Sequence, residues 1–197
     1  MQAERVAGLI LAGGEGRRLG GLDKGLVQWK GRPMAASVAD ALGAVVPRVM
    51  ISANRSLDQY ACWTDEVLSD PPELAWQGPL AGLLAGLVRA RKLGFEAVLV
   101  SPCDTPGVSP ELFRHLLEAA GGSPASPVLA RMDDRLHPLH GIYPVVLEAE
   151  LRDYLVSGER RVQGFTRAQC ALEVDCNGFP EAFANRNRPE DFPDSAG

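Results

Sequence analysis

Residues 8–25 read Gly-Leu-Ile-Leu-Ala-Gly-Gly-Glu-Gly-Arg-Arg-Leu-Gly-Gly-Leu-Asp-Lys-Gly, an apolar run that turns directly into a glycine-dense loop. Five of the nine residues 13–21 are glycine, and Arg17, Arg18 and Lys24 sit within or just after them. Without a Cβ, glycine reaches φ > 0 freely and lets backbone N–H groups close on a ligand. A row of such groups with cations beside it describes a cradle for a polyphosphate. Further along, Asn54, Asp70 and Asp104 each end a short apolar run.

Two familiar glycine motifs fail on position. For the dinucleotide fingerprint G-x-G-x-x-G, Gly14 and Gly16 supply the first two glycines, but Leu19 occupies the third and Gly20 comes one residue late. No acidic residue about 20 positions on ends a convincing strand to hold a ribose. A P-loop requires G-K-[ST], whereas Gly21 leads into Leu22-Asp23-Lys24-Gly25.

The elements that must position these residues alternate. Val6–Leu11 is apolar with a β-branched start and reads as a buried strand. Strands are also expected at 48–52, 66–69, 96–101, 127–130, 136–143 and 171–175. Between them lie helices at about 34–42, after 55, from 78 to about 93, after Ser109, from 144 to 155, and a short one after 161. Pro33 suits a helix start, and Ser109-Pro110 gives an N-cap followed by proline at the first helical position. Strand–helix alternation implies a mainly parallel α/β sheet with helices on both faces. Ligands then collect beyond the carboxyl ends of the strands, where Gly13-Gly14, Asn54, Asp70 and Asp104 would converge. His137-Pro138 is expected to shape a strand edge, because proline cannot donate to the ladder.

Bulk properties narrow the partners. The chain has 197 residues, 46% hydrophobic and 23% charged, which is enough for one domain with a substantial core. A net charge of −5 argues against general attraction to nucleic acid or an anionic membrane, so the Arg17-Arg18 pair suggests a small anionic ligand. Cys62, Cys103, Cys170 and Cys176 form no C-x-x-C pair and no zinc spacing. Reduced thiols, the lack of a signal-like N-terminus and the lack of a bilayer-length apolar segment point to a cytoplasmic protein.

Across these features the sequence resembles the molybdenum cofactor guanylyltransferases (the MobA family). The resemblance rests on Leu11-Ala12-Gly13-Gly14, Arg17-Arg18, Gly20-Gly21 and Asp23-Lys24-Gly25. It continues in order through Ser52-Ala53-Asn54-Arg55, Asp70, Gly78-Pro79-Leu80-Ala81-Gly82, Pro102-Cys103-Asp104-Thr105-Pro106, His137-Pro138, Gly158-Glu159-Arg160-Arg161 and Asn185-Arg186-Asn187-Arg188-Pro189. It therefore covers about Val6 to Phe192. The departure is Leu19, where methionine is common, a swap that conserves volume.

The resemblance implies a three-layer α/β/α Rossmann-like nucleotidyltransferase fold with a mainly parallel, mixed sheet, as a single domain over residues 1–197. It implies transfer of GMP from GTP to the phosphate of molybdenum-molybdopterin, with release of pyrophosphate. Arg18, Lys24 and Asp104 would be the catalytic groups. Leu11, Ala12, Gly13, Gly14, Lys24, Asn54, Asp70 and Asp104 would bind GTP in the N-terminal half, with Asp104 the Mg²⁺ ligand. Arg161, Asn185 and Asn187 in the C-terminal half would bind molybdopterin. A monomer is expected, with transient contact to molybdopterin-metal insertion proteins or acceptor molybdoenzymes. On the residues alone, bland roles stay open: Asn54 as a helix cap, Asp70 and Asp104 as turn residues, Arg160 and Arg161 as helix charges pairing Glu159 or Asp153, and Cys103 as a small buried residue. Also open are cytidylyl transfer to the same cofactor, nucleotidyl transfer to a sugar or polyol phosphate, a non-catalytic GTP-binding delivery protein, and a dinucleotide-dependent oxidoreductase.

Overall fold

Alternation of apolar side chains along the central strands forces helices onto both faces of one sheet. In β1 (Val6–Leu11), Val6 and Ile10 face one layer while Ala7, Leu9 and Leu11 face the other. In β6 (Ala97–Pro102), Ala97 and Leu99 oppose Val98 and Val100 in the same way. Both strands are buried on both sides, as parallel strands covered by crossover helices must be. The computed structural model describes residues 1–12, 22–71, 74 and 77–186. Gly13, Gly14, Arg17, Arg18 and Asn187 lie outside the described residues.

The remaining strands are β2 (Gln28–Trp29) and β3 (Arg32–Pro33), which form a small antiparallel hairpin, and β4 (Val49–Ser52), β5 (Glu66–Leu68), β7 (Val128–Met132), β8 (Arg135–Pro144) and β9 (Leu172–Asp175). The main sheet has seven strands in the order β5-β4-β1-β6-β8-β7-β9. Only β8 runs against the others. This is the α/β class with a mainly parallel, mixed sheet that the sequence implies.

Helices α1 (Met34–Gly43) and α4 (Pro110–Ala119) bury Val38, Leu42, Phe113 and Leu116 in one layer. Helices α3 (Pro79–Lys92), α5 (Glu148–Val156) and α6 (Val162–Ala168) bury Leu80, Leu84, Leu151, Leu155 and Phe165 in the other. Ser109 caps α4, its Oγ accepting from Leu112 N–H at 3.4 Å. The helix expected over 144–155 begins instead with a 3-10 turn, Val145–Leu147, before α5. The short α2 (Leu57–Tyr60) links β4 to β5.

The chain leaves β1 toward β4 and β5, then returns to the other side of β1 as β6. The strand order therefore reverses between β1 and β6, the kind of place where open α/β sheets leave a ligand crevice at the carboxyl ends. One irregularity shapes that crevice. Ala130 pairs with His137, but the preceding Leu129 pairs with Gly141, so residues 138–140 bulge from the ladder. The Tyr143 hydroxyl donates to the Pro138 carbonyl and ties the bulge down. A Cβ on Gly141 would lie 2.4 Å from the Val128 carbonyl oxygen, so the strands close up immediately after the bulge only because residue 141 is glycine. His137-Pro138 thus belongs to an interior strand, correcting the expected strand edge; the bulge removes the need for a Pro138 N–H.

Candidate active site

A cleft of about 400 Å³ opens over the carboxyl ends of β1 and β6. Leu11 ends β1 there and Ala12 follows it, with Ala12 N–H still bonded to the Ser52 carbonyl at 2.9 Å. On the β4–β5 side the cleft is walled by Ser52, Asp70 and the start of α3 at Gly78 and Pro79. The N-terminus of that 14-residue helix carries partial positive charge. On the other side stand Arg135, the β8 bulge, Gln163 and Asn185.

Asp70 is set by a three-residue network. Asn54 Nδ2 donates to Asp70 Oδ2 at 2.7 Å, Asp70 N–H donates to Asn54 Oδ1 at 3.0 Å, and Ser52 Oγ donates to Asp70 Oδ1 at 3.3 Å. Asn54 therefore reaches the cleft through Asp70 and does not cap α2, which has no side-chain cap. Ser52 carried no assigned role in the sequence; its signal is a polar residue ending the apolar run Val49-Met50-Ile51.

Lys24 and Asp104 meet at the centre, Nζ to Oδ2 at 3.6 Å, with side chains about one-fifth exposed (23% and 18%). Burial raises the Asp104 carboxyl above its ordinary range, and Lys24 opposes that shift. A partly desolvated carboxylate facing a cleft suits a hard cation shared with ligand oxygens. Among the described residues no group of three or more His, Cys, Asp or Glu could hold a metal unaided. Cys103 is buried, and burial with Asp104 beside it pushes its thiol up, so it remains a neutral small residue.

His140 also lines the cleft and carries no role assigned from the sequence. Its Nε2 lies 3.0 Å from Thr105 Oγ1, whose hydroxyl donates to the Pro102 carbonyl at 3.2 Å. That hydroxyl has one proton, so His140 Nε2–H is the donor of the pair. Full burial, with His137 nearby, lowers its pKa to about 3, and the ring is neutral. His137 is lowered in the same direction by burial and Arg135.

The C-terminal residues arrive by a separate route. Arg186 N–H donates to the Asp104 carbonyl at 2.9 Å, which brings Asn185 to the cleft wall beside the metal candidate. Arg161 is exposed at the start of α6, while the next residues, Val162 and Gln163, line the cleft. Arg160 donates to the carbonyls of Leu155 and Glu159 and to the Gln77 side chain, rather than making the pairing with Glu159 or Asp153 that the sequence left open.

The MobA-like NTP transferase domain matches residues 8–173. The chain belongs to this family. Its members are nucleotidyltransferases. The molybdenum cofactor guanylyltransferase of Cereibacter sphaeroides is 42% identical over 190 residues, covering 95% of this chain and 94% of that protein. That of Ectopseudomonas mendocina is 37% identical over 182 residues, covering 92% and 87%. Among solved structures, molybdopterin-guanine dinucleotide biosynthesis protein A from Archaeoglobus fulgidus shares the fold, with a TM-score of 0.75 over 94% of each chain at 22% identity. Nucleotidyltransferases typically work with a divalent metal. Among the described residues no helix is long and apolar enough to cross a membrane.

Proposed function

We propose that the chain transfers GMP from GTP to the phosphate of molybdenum-bound molybdopterin, forming the guanine dinucleotide cofactor and releasing pyrophosphate. The observation that carries this reading is the Lys24–Asp104 pair standing between two halves of one cleft. The family and the names of its 37–42% identical relatives support it.

The acceptor phosphate attacks the α-phosphorus of GTP, and pyrophosphate leaves in line. Such a displacement asks the protein for orientation and for compensation of charge. In the N-terminal half, Leu11, Ala12, Asp70 and, through Asp70, Asn54 hold the nucleoside; Asp70 accepts from its N–H or O–H groups. Gly13, Gly14 and Arg18 are assigned to the triphosphate. Lys24 acts as a point charge on the phosphates and favours departure of pyrophosphate. Asp104 would hold Mg²⁺ together with phosphate oxygens; when bound, the ion neutralises charge on the transferring group. In the C-terminal half, Asn185, Asn187 and Arg161 are assigned to molybdopterin. The chain is read as one domain acting as a cytoplasmic monomer, handing its product to acceptor molybdoenzymes by transient contact.

Nucleotide choice is tested by thermal shift with GTP or CTP, each with and without Mg²⁺. A ligand at about 100 times its Kd stabilises by about 2.7 kcal/mol, which is roughly 5–10 °C for a chain of this size. GTP with Mg²⁺ is expected to give that shift and CTP little. A larger shift with CTP would move the reading to cytidylyl transfer.

A further inference from the structure

The strut that delivers Lys24 to the cleft is held from outside it. After Leu22 and Asp23 comes a single 3-10 turn, Lys24–Leu26, and then the β2–β3 hairpin. Tyr60, wholly buried at the end of α2, donates its hydroxyl to Asp23 Oδ1. Arg55 places Nε 3.4 Å from Asp23 Oδ2 and donates from Nη2 to the Leu22 carbonyl at 2.9 Å. Gly25 fits beneath the phenol, where a Cβ would come within 2.4 Å of Tyr60 Oη. Trp63 stands edge-on to the Tyr60 ring, with centroids 6.3 Å apart. Among the described residues, Asp23, Arg55 and Tyr60 are absent from the cleft wall.

We propose that Tyr60, Asp23 and Arg55 form a clamp that positions Lys24 for its work on the phosphates. This rests on the guanylyltransferase reading given above. The Asp23 side chain is only 7% exposed, and its carboxylate lies between the Tyr60 hydroxyl, which donates to Oδ1, and the Arg55 guanidinium, which pairs with Oδ2 by charge. Lys24 is the next residue, so fixing Asp23 fixes the origin of a long side chain with many rotamers. An ammonium displaced by about 1 Å from a reacting phosphate can cost up to about a hundredfold in rate. The clamp thus ties α2, which among the described residues does not line the cleft, to a group that does.

The test is a double-mutant cycle on the full chain with Tyr60→Phe, Lys24→Ala and their combination, read as kcat and KM for GTP in pyrophosphate release. Tyr60→Phe keeps the ring packing and should lower kcat about tenfold, with KM for GTP within about twofold. In the Lys24→Ala background the same change should alter kcat by less than about twofold, because the group it positions is gone. Equal losses in both backgrounds would overturn the clamp, as would no loss in the parent. Asp23→Asn, which keeps a partner for the Tyr60 hydroxyl, serves as the second variant and should show the same dependence on Lys24. The cycle is repeated on affinity for inorganic pyrophosphate by calorimetry, which needs no turnover. A parent protein that forms no guanylylated product refutes the transferase reading, while the pyrophosphate cycle still judges the clamp.

Discussion

His140 makes the stability of this protein depend on pH in a way that can be worked out from its surroundings. The imidazole is enclosed behind Thr105, with a folded pKa of about 3 against an ordinary value of 6.5. The folded pKa is the lower one, so the unfolded chain binds the proton first. The associated stability is complete above about pH 6.5 and is lost as pH falls toward 3. Between pH 7 and pH 5 the loss is about 2 kcal/mol, set by protonation of the unfolded imidazole, because the folded ring is still neutral at pH 5. In urea, with an m-value of about 2 kcal/mol/M, the midpoint should drop by about 1 M from this group. His140→Gln keeps a donor for Thr105 but does not titrate, so its midpoint should fall by about 1 M less over the same interval. His137 shifts in the same direction and is present in both proteins, so the difference isolates His140. Parallel pH dependence in the two proteins would refute the buried neutral imidazole.

Three further outcomes follow from particular contacts. Burial raises the Asp104 carboxyl, so its ionised form is less favourable in the folded chain than in the unfolded one, and the associated stability is lost as pH rises. Asp104→Asn should therefore keep or raise the thermal midpoint at pH 7 while pyrophosphate release falls at least about a hundredfold; retained turnover would remove Asp104 from the chemistry. Asn54→Ala deletes both hydrogen bonds to Asp70, and a loss of about 1–2 kcal/mol should appear as a roughly 5- to 30-fold higher KM for GTP with kcat nearly unchanged. Gly141→Ala places a Cβ 2.4 Å from the Val128 carbonyl oxygen, where two strands would have to part; chemical denaturation should show about 1–3 kcal/mol of lost stability.

What could be read from the sequence is what local pattern determines. Val6–Leu11 and the run before Asp104 are apolar and short, so both strands, and the rim where their ends meet, are legible from the residues alone. Ser109-Pro110 marks a helix start because cap and first-turn chemistry act within four residues. The His137–His140 bulge was not legible. It depends on Tyr143 reaching back to Pro138 and on how closely Gly141 approaches a neighbouring strand, and neither follows from periodicity. Ser52 and Tyr60 escaped for a related reason: each acts on a residue brought near by folding, Asp70 and Asp23 respectively. Asn185 was placed by resemblance alone. In the structure the Arg186 N–H bond to the Asp104 carbonyl brings Asn185 to the cleft wall, a long-range contact that no local pattern announces.

The central claim is tested most directly with GTP labelled at its α-phosphorus, incubated with the protein, Mg²⁺ and molybdenum-molybdopterin. The account predicts that the label moves into a guanine dinucleotide form of the cofactor, with one pyrophosphate released for each label transferred. Label remaining in GTP or appearing in free GMP, with no dinucleotide formed, would contradict it.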